Sequence, residues 1–301
     1  IFRTPKRIRE YAIKDIVYSY KSCFTRLKKK QIQHFTINPK SKNSSLETIC
    51  ISHEHSHIIN SGKCIRMHCM DIVLEEKLED FTILNNMRLS KENEEYILHI
   101  PYFMNDKNIP KRHYTDVEDV ISLDPGIRTF LSYYSPRGEI GTIGEDFDSY
   151  LQKQYKKIKK YNENYSQNIS KKKYEKKILR KIKNKRDDLH WKTCHWLLKN
   201  YKTIIIPRLY IQKSTPKDLK NKMRDMKHCL LVDRLKIKML EYSNRKVVEV
   251  KEQHTSKTCT CCGWQNNNLN DNKLFKCEEC SLILDRDINA SRNILLKNFL
   301  H

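Results

Sequence analysis

Cys259-Thr260-Cys261-Cys262-Gly263 and Cys277-Glu278-Glu279-Cys280, with fourteen residues between the two cysteine pairs, run on into Asp285-Arg286-Asp287-Ile288-Asn289-Ala290. Two Cys-x-x-Cys pairs at this separation place four thiolates around one tetrahedral Zn2+, with Zn–S distances of ~2.3 Å. Cys259, Cys262, Cys277 and Cys280 are the expected ligands, and Cys261 is left over. A redox dithiol needs one such pair, so two matched pairs favour a metal. A four-thiolate site is closed, with no position open to a substrate, so this zinc is expected to be structural.

Outward from the ribbon lie two more acids. Glu252 ends the strand-like Val247–Val250, shortly before Thr255-Ser256-Lys257. Far upstream, the apolar run Val120-Ile121-Ser122-Leu123 ends in Asp124-Pro125-Gly126. A carboxylate at the end of a buried strand ionises beside apolar neighbours, which is costly without a compensating cation. Parallel strand ends converge on one edge of an α/β sheet, so Asp124, Glu252 and Asp287 can meet. Such a trio suits two divalent cations ~4 Å apart that hydrolyse a phosphodiester. Oxygen ligands select Mg2+ or Mn2+, whereas zinc prefers the thiolates. Singly, each acid has a plainer reading. Asp124 can be a turn residue before Pro-Gly, and Asp287 a helix cap. Asp285 competes with Asp287, which is preferred.

Between these sites the pattern is α/β. Val117–Asp124, Thr129–Tyr134 and Glu139–Ile143 read as a three-strand meander, with Ser135-Pro136-Arg137-Gly138 as a turn. Residues 147–200 read as helical. Thr203–Ile206, stopped by Pro207, and Lys246–Val250 read as strands, with a helix over Asp218–Tyr242 between them and a last helix over Asn289–Phe299. Strand–helix alternation after a meander predicts a mixed sheet. Upstream, Thr4-Pro5 is a helix start, followed by Ile8, Ala12, Ile16, Tyr20 and Phe24 at i+4 spacing. Short β-like runs follow at His34–Ile37, Thr48–Ser52, Cys64–His68, Phe81–Leu84 and Tyr96–Ile100, which predict a small, barrel-like β module. His53, His55 and His57 would share one face of a strand, where a polar face is a better reading than a metal site. Residues 106–114 read as a linker.

The 301 residues carry 59 Lys and Arg against 36 Asp and Glu, a net charge of +23 spread along most of the chain. A polyanionic partner is the direct reading, because basic side chains on phosphates release condensed counterions. The densest stretch is Lys172, Lys173, Lys176, Lys177, Arg180, Lys181, Lys183 and Arg186. It is read as a phosphate-facing helix side in preference to a merely solvated one. No apolar run is long enough to span a bilayer and no leader pattern is present, so no membrane is expected. Eleven cysteines without a framework of paired spacings suit a reducing compartment inside the cell. The start at Ile1, already close to a helix signal, reads as a trimmed N-terminus.

Leu123-Asp124-Pro125-Gly126 resembles the first nuclease motif of the TnpB and Fanzor proteins, relatives of type V CRISPR effectors. Thr255-Ser256-Lys257-Thr258-Cys259 through Cys280, with Asp285-Arg286-Asp287-Ile288-Asn289-Ala290-Ser291-Arg292-Asn293, resembles their zinc ribbon and third nuclease motif. Thr4-Pro5-Lys6-Arg7-Ile8-Arg9 and Leu189-His190-Trp191-Lys192 resemble Fanzor signatures. TnpB proteins carry a catalytic Glu at the end of the fourth strand, where this chain has Pro207. Fanzors are similar in lacking it and use a Glu that maps onto Glu252, which would imply the eukaryotic or viral branch and, with it, the nucleus; outside that branch the cytoplasm is expected.

The resemblance implies an RNase H-like (RuvC) mixed α/β sheet with an inserted four-cysteine zinc ribbon. Its segments would be a helical segment over 1–33, a β-rich wedge or barrel over 34–105, nuclease parts over 115–254 and 285–301, and the ribbon over 255–284. It also implies cleavage of target DNA under a guide RNA, with Asp124, Glu252 and Asp287 holding Mg2+ and no small-molecule substrate. The alternatives are a nuclease-fold protein that binds DNA or RNA in transposition without cutting, and a zinc-ribbon module of the transcription type. The three acids speak for the first reading over the second, and the Asp-Pro-Gly strand is unexplained by the third.

Overall fold

The computed structural model describes residues 4–38, 46–67, 70–78, 83–92, 95–101, 119–164, 169–209, 216–242, 244–250, 255–266 and 273–299. They fall into two units, 1–105 and 106–301. The linker expected over 106–114 and residues 81 and 82 of the strand expected at Phe81–Leu84 lie outside the described residues; Ile83 and Leu84 belong to no strand, and the strand here is the later Met87–Glu92.

In the first unit α1 (Lys6–Lys28) is followed by β1 (Leu46–Ile51), β2 (His57–Ile59), β3 (Cys64–Met67), β4 (Met70–Val73), β5 (Met87–Glu92) and β6 (Glu95–His99). Pro5 rather than Thr4 occupies the N-cap of α1, with no side-chain cap bond. The strands form two antiparallel sheets, β1-β5-β6 and β2-β3-β4, over a core of Ile51, Ile65 and Met87. The expected β module is therefore present, but among the described residues it is two three-stranded sheets and not a closed barrel. No strand forms at His34–Ile37. His53–His55 is a 3-10 turn, so the three histidines do not share a strand face. Asn86 Oδ1 accepts from the His53 backbone N–H (3.2 Å) and lies 3.0 Å from the His53 Nδ1.

The second unit holds β7 (Val120–Pro125), β8 (Leu131–Tyr134), β9 (Ile140–Ile143), α2 (Phe147–Asn164), α3 (Ile169–Asn200), β10 (Thr203–Pro207), α4 (Lys217–Met226), α5 (His228–Met239), β11 (Lys246–Val250), β12 (Leu274–Lys276), β13 (Ile283–Asp285) and α6 (Arg286–Phe299). Its main sheet has the order β11-β10-β7-β8-β9. β7, β10 and β11 are parallel, and β8 and β9 continue the meander antiparallel. This is the mixed sheet the sequence predicts. Strand alternation sorts its two faces. Ile121, Leu123, Leu131, Ile204 and Ile206 point to one side, into a core with Phe147 and Leu151 of α2, Ile178 and Leu197 of α3, and Leu231 and Leu235 of α5. Val120, Tyr134, Ile205, Val248 and Val250 point to the other side and pack on Ile294 and Leu295 of α6.

The helix expected over 218–242 is broken. Lys227 adopts a left-handed conformation (φ 51°) between α4 and α5. The Met226 carbonyl just before it accepts from His190 Nε2 at 3.0 Å, so a side chain from α3 satisfies the backbone at the break. Among the described residues no helix is long and apolar enough to cross a membrane.

Candidate active site and metal centre

Asp124 closes β7, and its neighbours fix its direction. Val120 and Ser122 point to the α6 side of the sheet, and Asp124 follows in the same alternation. The Ser122 hydroxyl donates to the Ser291 carbonyl of α6 at 2.7 Å, where both serines are fully buried. Two small side chains let helix and strand approach closely at this point. Asp287 lies one helical turn before Ser291, and Asp124 lies two residues beyond Ser122. Gly126, Ile127, Arg128 and Thr129, directly after β7, line a cleft of about 550 Å3 together with Asp285, Arg286 and Asp287. The start of α6 therefore lies at the C-terminal end of β7, and the helix runs antiparallel to the strand. Asp124 and Asp287 share one face and one end of the sheet.

The two acids of the Asp285-Arg286-Asp287 triplet have different tasks. Asp285 Oδ1 accepts from the backbone N–H groups of Asp287 (2.9 Å) and Ile288 (3.2 Å), which makes it the N-cap of α6. Asp287 sits half-buried in the first turn. Burial raises its pKa, and nearby Asp285 raises it further, against the pull of Arg286, Arg128 and Lys273. A carboxyl held in this way gains from a cation beside it. Asp124 is 8% exposed. Two oxygen-donor side chains, one at a buried strand end and one burdened by a neighbouring carboxylate, fit the chemistry of Mg2+ or Mn2+. Glu252 lies outside the described residues; Val248 and Val250, which precede it in β11, are on the α6 side.

The cysteines also come together. One sulfur from each of Cys259, Cys262, Cys277 and Cys280 lies within 4.8 Å of all the others. The closest pairs are Cys259–Cys280 at 3.6 Å and Cys262–Cys277 at 3.5 Å. Four sulfurs around a tetrahedral Zn2+ stand ~3.8 Å apart, and a disulfide needs ~2.05 Å, so the geometry fits zinc and excludes disulfides. Each knuckle points an amide at its first sulfur: Cys261 N–H to Cys259 Sγ (3.4 Å) and Cys280 N–H to Cys277 Sγ (3.5 Å). Gly263 turns the first knuckle with φ 80°. Cys261 is exposed and its thiol is not among the four.

Two buried asparagines that the sequence reading passed over join ribbon to helix. Asn289 accepts at Oδ1 from the Thr260 N–H (3.2 Å) and donates from Nδ2 to the Thr258 carbonyl (2.8 Å). Asn293, one turn on, donates to the carbonyls of Thr255 (2.8 Å) and Thr258 (2.6 Å). The available signal is two amides four residues apart beside the apolar stripe of α6.

The basic stretch lies on α3. Lys172, Lys173, Lys177 and Lys181 are exposed, and Lys176, Arg180 and Lys183 are partly so. Arg186 departs from the expectation. It is 6% exposed and turns inward, where Nη1 donates to the Asp225 carbonyl (3.4 Å) and Nε lies 3.6 Å from Asp187. Its spacing along α3 places it on the core side, so the exposed stripe does not include it.

Two family models match the chain: "Probable transposase" over residues 99–217 and "Cas12f1-like, TNB domain" over residues 228–294. Among curated proteins, the chain is 28% identical to the "TnpB-like protein L79" of Acanthamoeba polyphaga mimivirus over 92% of its own length and 54% of that protein. It is 28% identical to the "Putative transposase A625R" of Paramecium bursaria Chlorella virus 1, over 97% and 69%. The chain thus spans about half the length of the first of these relatives. Among solved structures, a Cas12f1-sgRNA-target DNA complex matches 92% of the chain and 76% of the matched chain, at 17% identity and a TM-score of 0.45.

Proposed function

We propose that this chain, similar along most of its length to TnpB-like proteins, cuts DNA under the direction of a guide RNA, with Asp124, Glu252 and Asp287 as the ligands of its catalytic cations. The observation that supports the nuclease reading is the placement of Asp124, at the end of β7, and Asp287, at the start of α6, toward the same end of the α6 face of the sheet, with Asp287 lining an open cleft. Mg2+ or Mn2+ bound there would supply the activation of water and the stabilisation of the leaving oxygen. Asp285, by capping α6, leaves Asp287 available and fixes the turn that presents it. Glu252 is the proposed third ligand, in place of an acid at the end of β10, where Pro207 stands. This is the arrangement of the Fanzor branch. The guide-RNA and target-DNA parts of the reading rest on the family resemblance and on the net charge of +23. The exposed lysines of α3 are the proposed contacts to nucleic-acid phosphates.

The test uses the full-length protein purified with its RNA. Asp124→Ala, Asp287→Ala and Glu252→Ala are each expected to lower Mg2+-dependent DNA cleavage by about a thousandfold while leaving nucleic-acid affinity within about threefold. Undiminished cleavage by Asp124→Ala would sink the nuclease reading at this site, and undiminished cleavage by Glu252→Ala would remove that residue alone. Absence of any co-purifying RNA, with cleavage intact, would refute RNA guidance.

A further inference from the structure

Beneath the turn that follows Asp124, two buried imidazoles stack on one phenyl ring. The His228 ring lies 4.8 Å from Phe130 at an interplanar angle of 17°, and the His190 ring lies 5.1 Å from it at 24°. All three side chains are almost wholly buried. Each imidazole meets one backbone carbonyl through Nε2: His228 with Gly126 at 2.9 Å and His190 with Met226 at 3.0 Å. A carbonyl only accepts, so both rings carry their proton on Nε2. Their Nδ1 atoms have no partner among the described residues. A buried polar nitrogen without a partner is a cost that an apolar side chain of the same size would not incur. What the histidine adds at 228 is therefore its one donated bond.

That bond meets the turn where β7 leaves the sheet. Pro125 follows Asp124 and has no N–H to give to the sheet. Beyond Asp124, Pro125 still pairs with Leu131 of β8, and Gly126 is held at both its backbone groups: its N–H donates to the Phe130 carbonyl at 3.2 Å, and its carbonyl accepts from His228. The turn is tight enough that a Cβ on Gly126 would lie 2.5 Å from the Thr129 carbonyl oxygen. His228 thus grips both sides of the base of the turn, Gly126 by a hydrogen bond and Phe130 by stacking. His190 supports it from α3, because Met226 immediately precedes the left-handed Lys227 from which His228 opens α5.

We propose that His228 is a positioning residue for Asp124: by holding the Gly126 carbonyl it fixes the strand end, and hence the direction in which the Asp124 carboxylate is presented to a divalent cation. This rests on the reading of Asp124 as a cation ligand. The bond from Nε2 is the active element, and His190 acts through the Met226–Lys227 junction.

The experiment measures Mn2+ binding to the full-length, zinc-loaded chain by electron paramagnetic resonance, without nucleic acid. Wild type, Asp124→Ala, His228→Phe and His228→Gln are compared. Phenylalanine keeps the ring and loses the donor, whereas glutamine loses the ring and keeps an N–H donor. His228→Phe is expected to melt close to wild type and to need about tenfold more Mn2+ for half-saturation of the site lost in Asp124→Ala, the range for removal of a partner behind a metal ligand. His228→Gln is expected to stay within about threefold of wild type. A His228→Phe protein that titrates like wild type overturns the proposal, as does equal weakening in both variants. If His228→Phe does not fold, His228→Leu replaces it under the same criteria. A wild type without an Mn2+ site sensitive to Asp124→Ala fails at the earlier step and refutes the nuclease reading, and with it this proposal.

Discussion

At the scale of single residues, the cleft end of the sheet shows how closely placed side chains of one type divide their tasks. Asp285 and Asp287 are both carboxylates near the start of α6, yet one spends its acceptor on the helix amides and the other faces the cleft. The sequence offers both and does not rank them by geometry, because capping depends on where the helix starts. His190 and His228 likewise look ordinary in the sequence. Burial pushes them down to about 3 and about 4, respectively, with Arg234, Arg186 and His228 adding to the effect at His190. Their ordinary value is 6.5, so below that pH the unfolded chain takes up protons that the folded chain refuses. Stability is complete above pH 6.5 and declines as pH falls toward 4. Lowering pH from 7 to 5 is expected to cost roughly 2 kcal/mol per ring. Thermal unfolding followed by circular dichroism reads this, and a double His190→Leu, His228→Phe variant is expected to show a shallower decline over the same interval. Arg186 makes the opposite point to the lysines around it. A basic residue counted with a charge run can be a core residue, and Arg186→Ala is expected to lower the melting temperature without weakening nucleic-acid binding.

At the scale of elements, the strands that carry the site were legible, because β7, β10 and β11 are short apolar runs with clear stops at Asp124-Pro125, Pro207 and Val250. The ribbon was legible from cysteine spacing alone. The break between α4 and α5 was not, since a lysine gives no sign of a left-handed conformation and its satisfying donor, His190, comes from another helix. The strands β2, β4 and β5 were missed: β2 and β4 because three or four residues of mixed character carry too little alternation to register, and β5 because Arg88, Lys91 and Glu92 leave it few apolar positions. The ribbon's attachment to α6 was missed for a different reason. Asn289 and Asn293 stand in the sequence only as members of a motif, and their task is visible once their partners, Thr255, Thr258 and Thr260, are placed beside them. Each amide leaves buried backbone groups unpaired if removed. Asn289→Ala is expected to destabilise by about 1–3 kcal/mol and to speed zinc loss to a chelator, followed with a colorimetric zinc indicator. Cys277→Ser is expected to abolish stoichiometric zinc and lower folded yield, since a metal that templates a fold contributes its binding energy to folding. Normal stability after chelation of the wild type would refute that dependence.

At the scale of the whole molecule, charge and order along the chain matter most. With a net charge of +23, the proposed nucleic-acid binding is expected to depend steeply on salt. Replacing Lys172, Lys173, Lys177 and Lys181 together by alanine is expected to flatten the slope of log affinity against log salt by up to about 3.6, about 0.9 for each phosphate contact removed. A slope unchanged by that substitution would show that the stripe on α3 is solvated and nothing more. The position of α6 has a temporal consequence. The helix covers one face of a sheet whose five strands all precede it, and it carries Asp287 to the end of β7 only after the cysteine segment has been made. On a translating ribosome the sheet emerges with that face bare and one of the two acids still unmade. On the proposed nuclease reading, cutting would begin only after both the ribbon and the helix have left the exit tunnel, and a polypeptide interrupted before residue 287 would lack one of the proposed metal ligands.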